Sequence, residues 1–269
     1  MKFVSGGGSY HVEIEGSGFP LILLHGFTGD RSTWDPFIPC WKSEYMLISI
    51  DIAGHGDTVM PASEESYTVT AAARMIHELM ESLQIPKADL LGYSMGGRLA
   101  LSFAALYPGK VRKLILESAS PGLETAEERK NRRNQDERLG EYIKENGIEA
   151  FVDYWENIPL FKTQKMLPAD VQMQIREQRL QNSPEGLEFS LRGMGTGAQP
   201  SWWGKLPHIK ADTLLVTGSE DIKFCTLAER MSKLIPVCQW ETVFGAGHAI
   251  HVEEPEKFGT IVSEFLQKL

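Results

Sequence analysis

The stretch ADLLGYSMGGRLAL, residues 88–101, decides the fold. An apolar run closes on Gly92, turns through Tyr93 and Ser94, and passes directly into a helix-forming run from Met95. A strand that turns through glycines straight into a helix is one βα unit, and such units build parallel sheets covered on both faces. The same beat recurs along the chain. PLILL (20–24), YMLISID (45–51), VRKLILES (111–118) and ADTLLVTG (211–218) read as further buried strands. Helical patterns cover residues 67–84, 95–107, 223–234 and 255–268. YHVEIE (10–15) alternates instead, which predicts a strand at an antiparallel edge.

The rhythm stops between residues 121 and 205. That block holds charge-dense helical stretches and no strand pattern. Thr125 followed by Glu128 has capping-box spacing, so a helix is predicted to start there. PADVQMQIREQRLQ (168–181) and SPEGLEFSLRGMG (183–195) read as further helices, with Ser183 and Pro184 suited to N-cap and first turn. The expected organisation is an α/β core over 1–120 and 206–269, with a helical cap over 121–205 inserted between its two parts.

Composition narrows the function classes. Of 269 residues, 42% are hydrophobic and 23% charged, which is ordinary for a domain with a substantial core. A net charge of -9 argues against a nucleic-acid partner, because phosphate binding needs a dense basic patch. Cys40, Cys225 and Cys238 are scattered without metal-type spacing, as suits a reduced, cytoplasmic setting. The start MKFVSGGGSYHVEIEG lacks the apolar core of a signal peptide. No apolar run reaches the roughly 20 residues of a membrane span.

Gly92-Tyr93-Ser94-Met95-Gly96 is a G-x-S-x-G stretch in strand–turn–helix context. In a nucleophile elbow the serine sits on that strained turn, and the helix N-terminus beneath it favours developing negative charge. The competing reading is a glycine-rich turn of another doubly wound fold, but the segment lacks the G-x-G-x-x-G spacing of dinucleotide loops. A weakly acidic hydroxyl needs a base, and the base needs an orienting carboxylate. His248, in VFGAGHAIHVEEPEKF (243–258), is the best base, with His251 the runner-up. Elsewhere His25 shapes a loop, His55 braces a tight turn, His77 falls within a helix, and His11 and His208 have no site context. Asp221 is the best orienter, at the carboxyl end of a core strand where such sheets bind ligands; Glu220 is its alternative. An oxyanion or enolate needs donors too. The Met95 amide follows the serine, and Phe27 in LLHGFTGD (23–30) is placed to supply a second.

HGFTGD, DIAGHGD, GYSMGG, the GSED loop and GAGH follow in an order that resembles the α/β-hydrolase superfamily over essentially the whole chain. PGLETAEERKNRRNQD, RLQNSPEG with SLRGMGTGAQPSWW, and GSEDIKF look like a narrower family, the 2-succinyl-6-hydroxy-2,4-cyclohexadiene-1-carboxylate synthases of menaquinone biosynthesis. The resemblance implies a lyase without metal or organic cofactor; the expected state of the chain is a monomer. Its substrate would be a cyclohexene with a ring carboxylate, a succinyl ketone and a pyruvyl enol ether, hence a small molecule with several carboxylates. The products would be pyruvate and the cyclohexadiene. Carried over residue by residue, the resemblance puts a triad on Ser94, Asp221 and His248. It puts substrate contacts on Tyr93, Arg98, Arg132, Trp155, Arg179 and Lys223.

Residue chemistry weighs these contacts against plainer readings. Arg98 lies one turn into its helix on the serine's face, where a cation suits a carboxylate ligand and does little for apolar esters. A structural salt bridge is its alternative. Arg132 stands between Glu128 and Asp136 and could belong to a solvated charge ladder. Arg179 could be surface, Trp155 could pack the cap, and Lys223 could simply be exposed. Two chemistries remain open on the residues alone. Ser94 could act as a triad-activated base in pyruvate elimination, or as the nucleophile of a carboxylesterase, thioesterase or C–C bond hydrolase.

Overall fold

The computed structural model describes residues 1–268. Its strands are β1 (Lys2–Ser5), β2 (Gly8–Glu15), β3 (Phe19–Leu24), β4 (Tyr45–Ile50), β5 (Ala88–Tyr93), β6 (Val111–Glu117), β7 (Asp212–Gly218) and β8 (Cys238–Val243). They form one sheet in the order β1-β2-β4-β3-β5-β6-β7-β8. Pairing is parallel from β4 through β8 and antiparallel where β2 meets β1 and β4. Helices α1 (Ile38–Trp41), α2 (Val69–Ser82) and α3 (Met95–Leu106) connect the first half. Between β6 and β7 come α4 (Ala126–Trp155), α5 (Ala169–Leu180) and α6 (Pro184–Met194). The chain ends with α7 (Ile222–Ser232), α8 (Ile250–Glu253) and α9 (Pro255–Gln267).

The apolar runs are explained by the two-faced core. Leu21, Ile22, Leu23 and Leu24 of β3 are all fully buried. Leu21 and Leu23 pack with Trp34, Phe37 and Phe258 on one face; Ile22 and Leu24 pack with Leu79 and Leu99 on the other. Successive side chains point to opposite faces, so a strand between two helical layers must be apolar at every position. Each such side chain contributes about 1.5–3 kcal/mol when removed from water.

Two features of the sheet differ from the sequence expectation. β2 is antiparallel as expected, but it is not at the edge, because β1 pairs outside it. KFVS is too short to show alternation, and its hairpin turns at Gly6 and Gly7, both in the left-handed region (φ 58° and 78°). β8 (CQWETV) went unread because an edge strand with one solvated face carries no continuous apolar run.

Among the described residues, none between β6 and β7 is in a strand. Thr125 Oγ1 accepts the Glu128 N–H at 3.1 Å and Glu128 Oε2 accepts the Thr125 N–H at 2.8 Å, completing the capping box. Ser183 Oγ accepts the Gly186 N–H at 3.1 Å and starts α6. The block has its own small core of Ile143, Phe151, Val152, Leu187 and Leu191. Its two ends meet: the Trp202 N–H donates to the Pro121 carbonyl at 2.8 Å, and Trp203 Nε1 donates to the Gly122 carbonyl at 2.9 Å. No described helix is long and apolar enough to cross a membrane.

Candidate active site

Ser94 joins β5 to α3 with φ 49° and ψ -102°, a conformation that costs an L-residue about 1–3 kcal/mol. Packing enforces it. A Cβ at Gly92 would collide with the Gly96 carbonyl, and one at Gly96 with the Leu24 carbonyl, so α3 starts pressed against β3 and β5. The Ser94 N–H donates to the Glu117 carbonyl at 2.8 Å, which ties the turn to β6.

Asp221 is the N-cap of α7, its Oδ1 accepting the Phe224 N–H at 3.4 Å. Its Oδ2 lies 2.6 Å from His248 Nδ1, and His248 Nε2 lies 2.9 Å from Ser94 Oγ. A carboxylate only accepts, so Nδ1 carries the proton and Nε2 is left to accept from the serine hydroxyl. His248 is 1% exposed, with the Phe224 ring 4.6 Å from it, centroid to centroid. The alternatives are engaged elsewhere. Glu220 pairs with Lys162 at 3.6 Å. His251 Nδ1 is held by the buried Glu117 carboxylate at 2.9 Å.

These groups open onto a cavity of about 430 Å³ at the carboxyl ends of the strands, roofed by the helical block. Phe27 and Met95 line it beside Ser94. The Met95 N–H belongs to the first turn of α3, where amide donors lack helical acceptors. Phe27 packs edge-on against Trp155 at 5.4 Å. Tyr93 lines the cavity, sits edge-on to His251 at 4.5 Å, and burial pushes its phenol well above the usual range.

Arg98 also faces the cavity, and among the described residues no carboxylate pairs with it. Its Nη1 donates to two neutral oxygens, the Met194 carbonyl at 2.7 Å and Gln199 Oε1 at 2.8 Å. The salt-bridge alternative therefore fails. Burial, with neighbouring Arg132, lowers its pKa to about 10, leaving it a cation at neutral pH. Arg132 holds Asp136 at 2.8 Å and still lines the cavity, so it combines the helical ion pair with a place at the site. Burial raises the pKa of Asp136. Lys223 lines the cavity too, with its pKa lowered by desolvation and by Arg132. Three cations thus gather inside a chain whose net charge is -9. Trp155 lines the cavity with its indole N–H buried and unmatched by any acceptor.

Arg179 is placed differently from the expectation. It does not line this cavity. Its guanidinium lies 4.7 Å from the Phe161 ring centroid, with Nη2 donating to Gln164 Oε1 at 3.0 Å, and it faces smaller recesses behind Phe161. It is not a surface residue either, being 6% exposed.

Sequence reading missed Gln199 and Ser118. Ser118 lines the cavity at φ 46° with its buried hydroxyl unpaired. Only backbone geometry and packing reveal either residue. His11, Asp51 and Asp57 form the one described cluster with metal-ligand geometry. The Asp51 oxygens are engaged by the Arg31 and Asp57 N–H groups at 2.7 and 3.0 Å, which marks a loop brace.

His25 and His55 brace the loops below Phe27. His25 Nδ1 donates to the Gly26 carbonyl at 2.7 Å, and its Nε2 accepts the Ile52 N–H at 3.0 Å. His55 packs 5.1 Å from it, and burial, then His25, lowers the His55 pKa to about 3. An unfolded histidine titrates near 6.5, so between these values the unfolded chain binds a proton that the folded chain refuses. Stability is therefore full above about pH 6.5 and falls toward acid, by about 1.4 kcal/mol per pH unit from His55. Melting curves from pH 7 to pH 4 are expected to show a steady loss that flattens in His55→Gln.

A family model for the alpha/beta hydrolase fold matches residues 20–255. A Bacillus subtilis (strain 168) protein bearing the provisional name 2-succinyl-6-hydroxy-2,4-cyclohexadiene-1-carboxylate synthase is 45% identical over 268 residues, 99% of this chain and 97% of its own length. The solved structure of MenH from S. aureus superposes with TM-score 0.90 at 35% identity, covering 96% of this chain and 97% of that one. A thermophilic esterase from Thermogutta terrifontis superposes with TM-score 0.84 at 28% identity, covering 99% and 96%.

Proposed function

The chain belongs to the α/β-hydrolase family and, within it, to the 2-succinyl-6-hydroxy-2,4-cyclohexadiene-1-carboxylate synthases, and from that premise we propose how its cavity works. The activity is that of a menaquinone-pathway lyase. It eliminates pyruvate from 2-succinyl-5-enolpyruvyl-6-hydroxy-3-cyclohexene-1-carboxylate to give the 2,4-cyclohexadiene. The observation that carries the site reading is Arg98, a cation with no carboxylate partner among the described residues, in the cavity that holds Ser94.

In this reading His248, oriented by Asp221, takes the Ser94 proton, and the Ser94 oxygen removes the acidic hydrogen beside the succinyl ketone. That C–H pair becomes a ring double bond, the existing ring alkene shifts one bond along, and the enolpyruvyl C–O bond breaks. The proton held by His248 returns to the leaving group, which ends as pyruvate. Charge on the ketone oxygen during the step is met by the Phe27 and Met95 amides. Arg98, Arg132 and Lys223 hold carboxylates so that the breaking C–H bond faces Ser94. Tyr93 and Trp155 supply walls, and Arg179 acts from behind Phe161 by fixing that ring. Residues 121–205 serve as the cap that completes the cavity over the core of 1–120 and 206–269. Three unpaired cysteines suit the cytoplasm.

The rival reading, an esterase with Ser94 as nucleophile, shares the triad and differs in what the cations are for. A neutral acyl group gives Arg98 no partner. Steady-state pyruvate release by Arg98→Ala is expected to show KM raised roughly 10- to 100-fold, the loss of one charge-assisted contact. Added salt should raise KM in the unmodified chain and less so in the variant. An unchanged KM, with fast turnover of p-nitrophenyl esters, would favour the esterase.

A further inference from the structure

We infer that Gln199 is a positioning residue that fixes the Arg98 guanidinium without cancelling its charge. The inference rests on the reading that Arg98 meets a substrate carboxylate. A guanidinium only donates, so Gln199 must turn its Oε1 to Arg98, at 2.8 Å. That choice leaves its Nε2 buried with no acceptor, in a side chain that is 0% exposed. A buried donor without a partner costs about 1–3 kcal/mol.

Glutamate has nearly the same shape. At this position it would give Arg98 a charged partner, and it would exchange the orphan donor for a buried carboxylate oxygen with no donor of its own. Glutamate would cancel the cation, whereas glutamine holds the guanidinium and keeps its charge free for a ligand. Asp136, the acid whose field reaches Arg98, is already engaged by Arg132 at 2.8 Å. Both acceptors on Nη1 are thus neutral, the other being the Met194 carbonyl at 2.7 Å.

The clamp is also rigid. The Gln199 N–H donates to the Gly195 carbonyl at 3.1 Å. Three residues on, Trp202 Nε1 donates to Ser102 Oγ at 2.8 Å, and that hydroxyl donates to the Arg98 carbonyl at 2.7 Å. The segment bearing Gln199 and the helix bearing Arg98 are therefore stapled together. Ordering a long side chain in advance spares a ligand up to about 2 kcal/mol of rotamer entropy.

The test compares Gln199→Glu and Gln199→Met in the full chain by steady-state pyruvate release at several salt concentrations, alongside thermal melts. Gln199→Glu is expected to raise KM about tenfold or more with kcat changed less than about threefold, since it neutralises binding charge and leaves the triad alone. Its KM should respond less to salt. Gln199→Met keeps the charge and should raise KM less. An unchanged KM in Gln199→Glu, an unchanged KM in Gln199→Met, or an equal rise in both would each overturn the inference, and Gln199→Met decides it where Gln199→Glu does not fold. An unmodified chain that releases no pyruvate would overturn the functional reading beneath it, a distinct result.

Discussion

Replacing Ser94 with alanine is expected to lower the rate of pyruvate release by roughly 10³-fold while leaving substrate affinity within a few-fold, because general-base groups contribute about 10² to 10⁴ and do not hold the ground state. The fold should be unaffected. The turn is held by glycine contacts and by the Ser94 N–H bond to the Glu117 carbonyl, none of which uses the hydroxyl. Alanine suffers the positive φ to about the same degree as serine. Residual activity should come from the amide donors and from the cations that align the substrate. Near-native pyruvate release by the variant would sink Ser94 as the base. Intact-mass measurement during turnover of the unmodified chain separates the two chemistries: a proton-abstracting serine shows no adduct, whereas an accumulating acyl-serine would assign it as a nucleophile.

The second large effect is expected at Asp221. Asp221→Asn keeps the size of the side chain and removes its charge. An amide facing His248 Nδ1 can present N–H as readily as oxygen, and then Nδ1 becomes the acceptor and Nε2 the protonated nitrogen. A protonated Nε2 cannot take the Ser94 proton. The loss should be roughly 10²- to 10⁴-fold in kcat, with KM little changed, as for orienting acids of other triads. Asp221 also caps α7 through Phe224, and asparagine is an equally good N-cap, so melting should move by less than about 1 kcal/mol. A variant with more than about a tenth of native kcat would remove Asp221 from the orienting role.

The sheet interior was legible because burial on both faces leaves no choice of residue: Leu21 to Leu24 admit no polar position. β1 and β8 were not, since each lies at an edge and solvent relaxes that demand. Ser94, Asp221 and His248 could be proposed together because the first two follow readable strands and the third sits in the glycine-rich loop before the last helix, in a fixed chain order, and the geometry brings them within hydrogen-bond reach. Arg179 could not be placed from its neighbours in sequence. Whether it meets the cavity or the back of Phe161 depends on how α5 packs against residues 161–164. Gln199 was hidden for a similar reason, acting on Arg98 across 101 residues through an acceptor atom alone.

The two ends of the helical block lie side by side, tied by the Trp202 to Pro121 bond, between strands adjacent in the sheet. An excursion that leaves and returns through one doorway makes no demand on the register of the strands that flank it. Its length, charge and curvature can drift while the serine turn and the histidine loop stay where the sheet puts them. Descent with a replaced ceiling therefore needs no change to the floor, and kin with the same floor can diverge in what they accept and in whether water takes part.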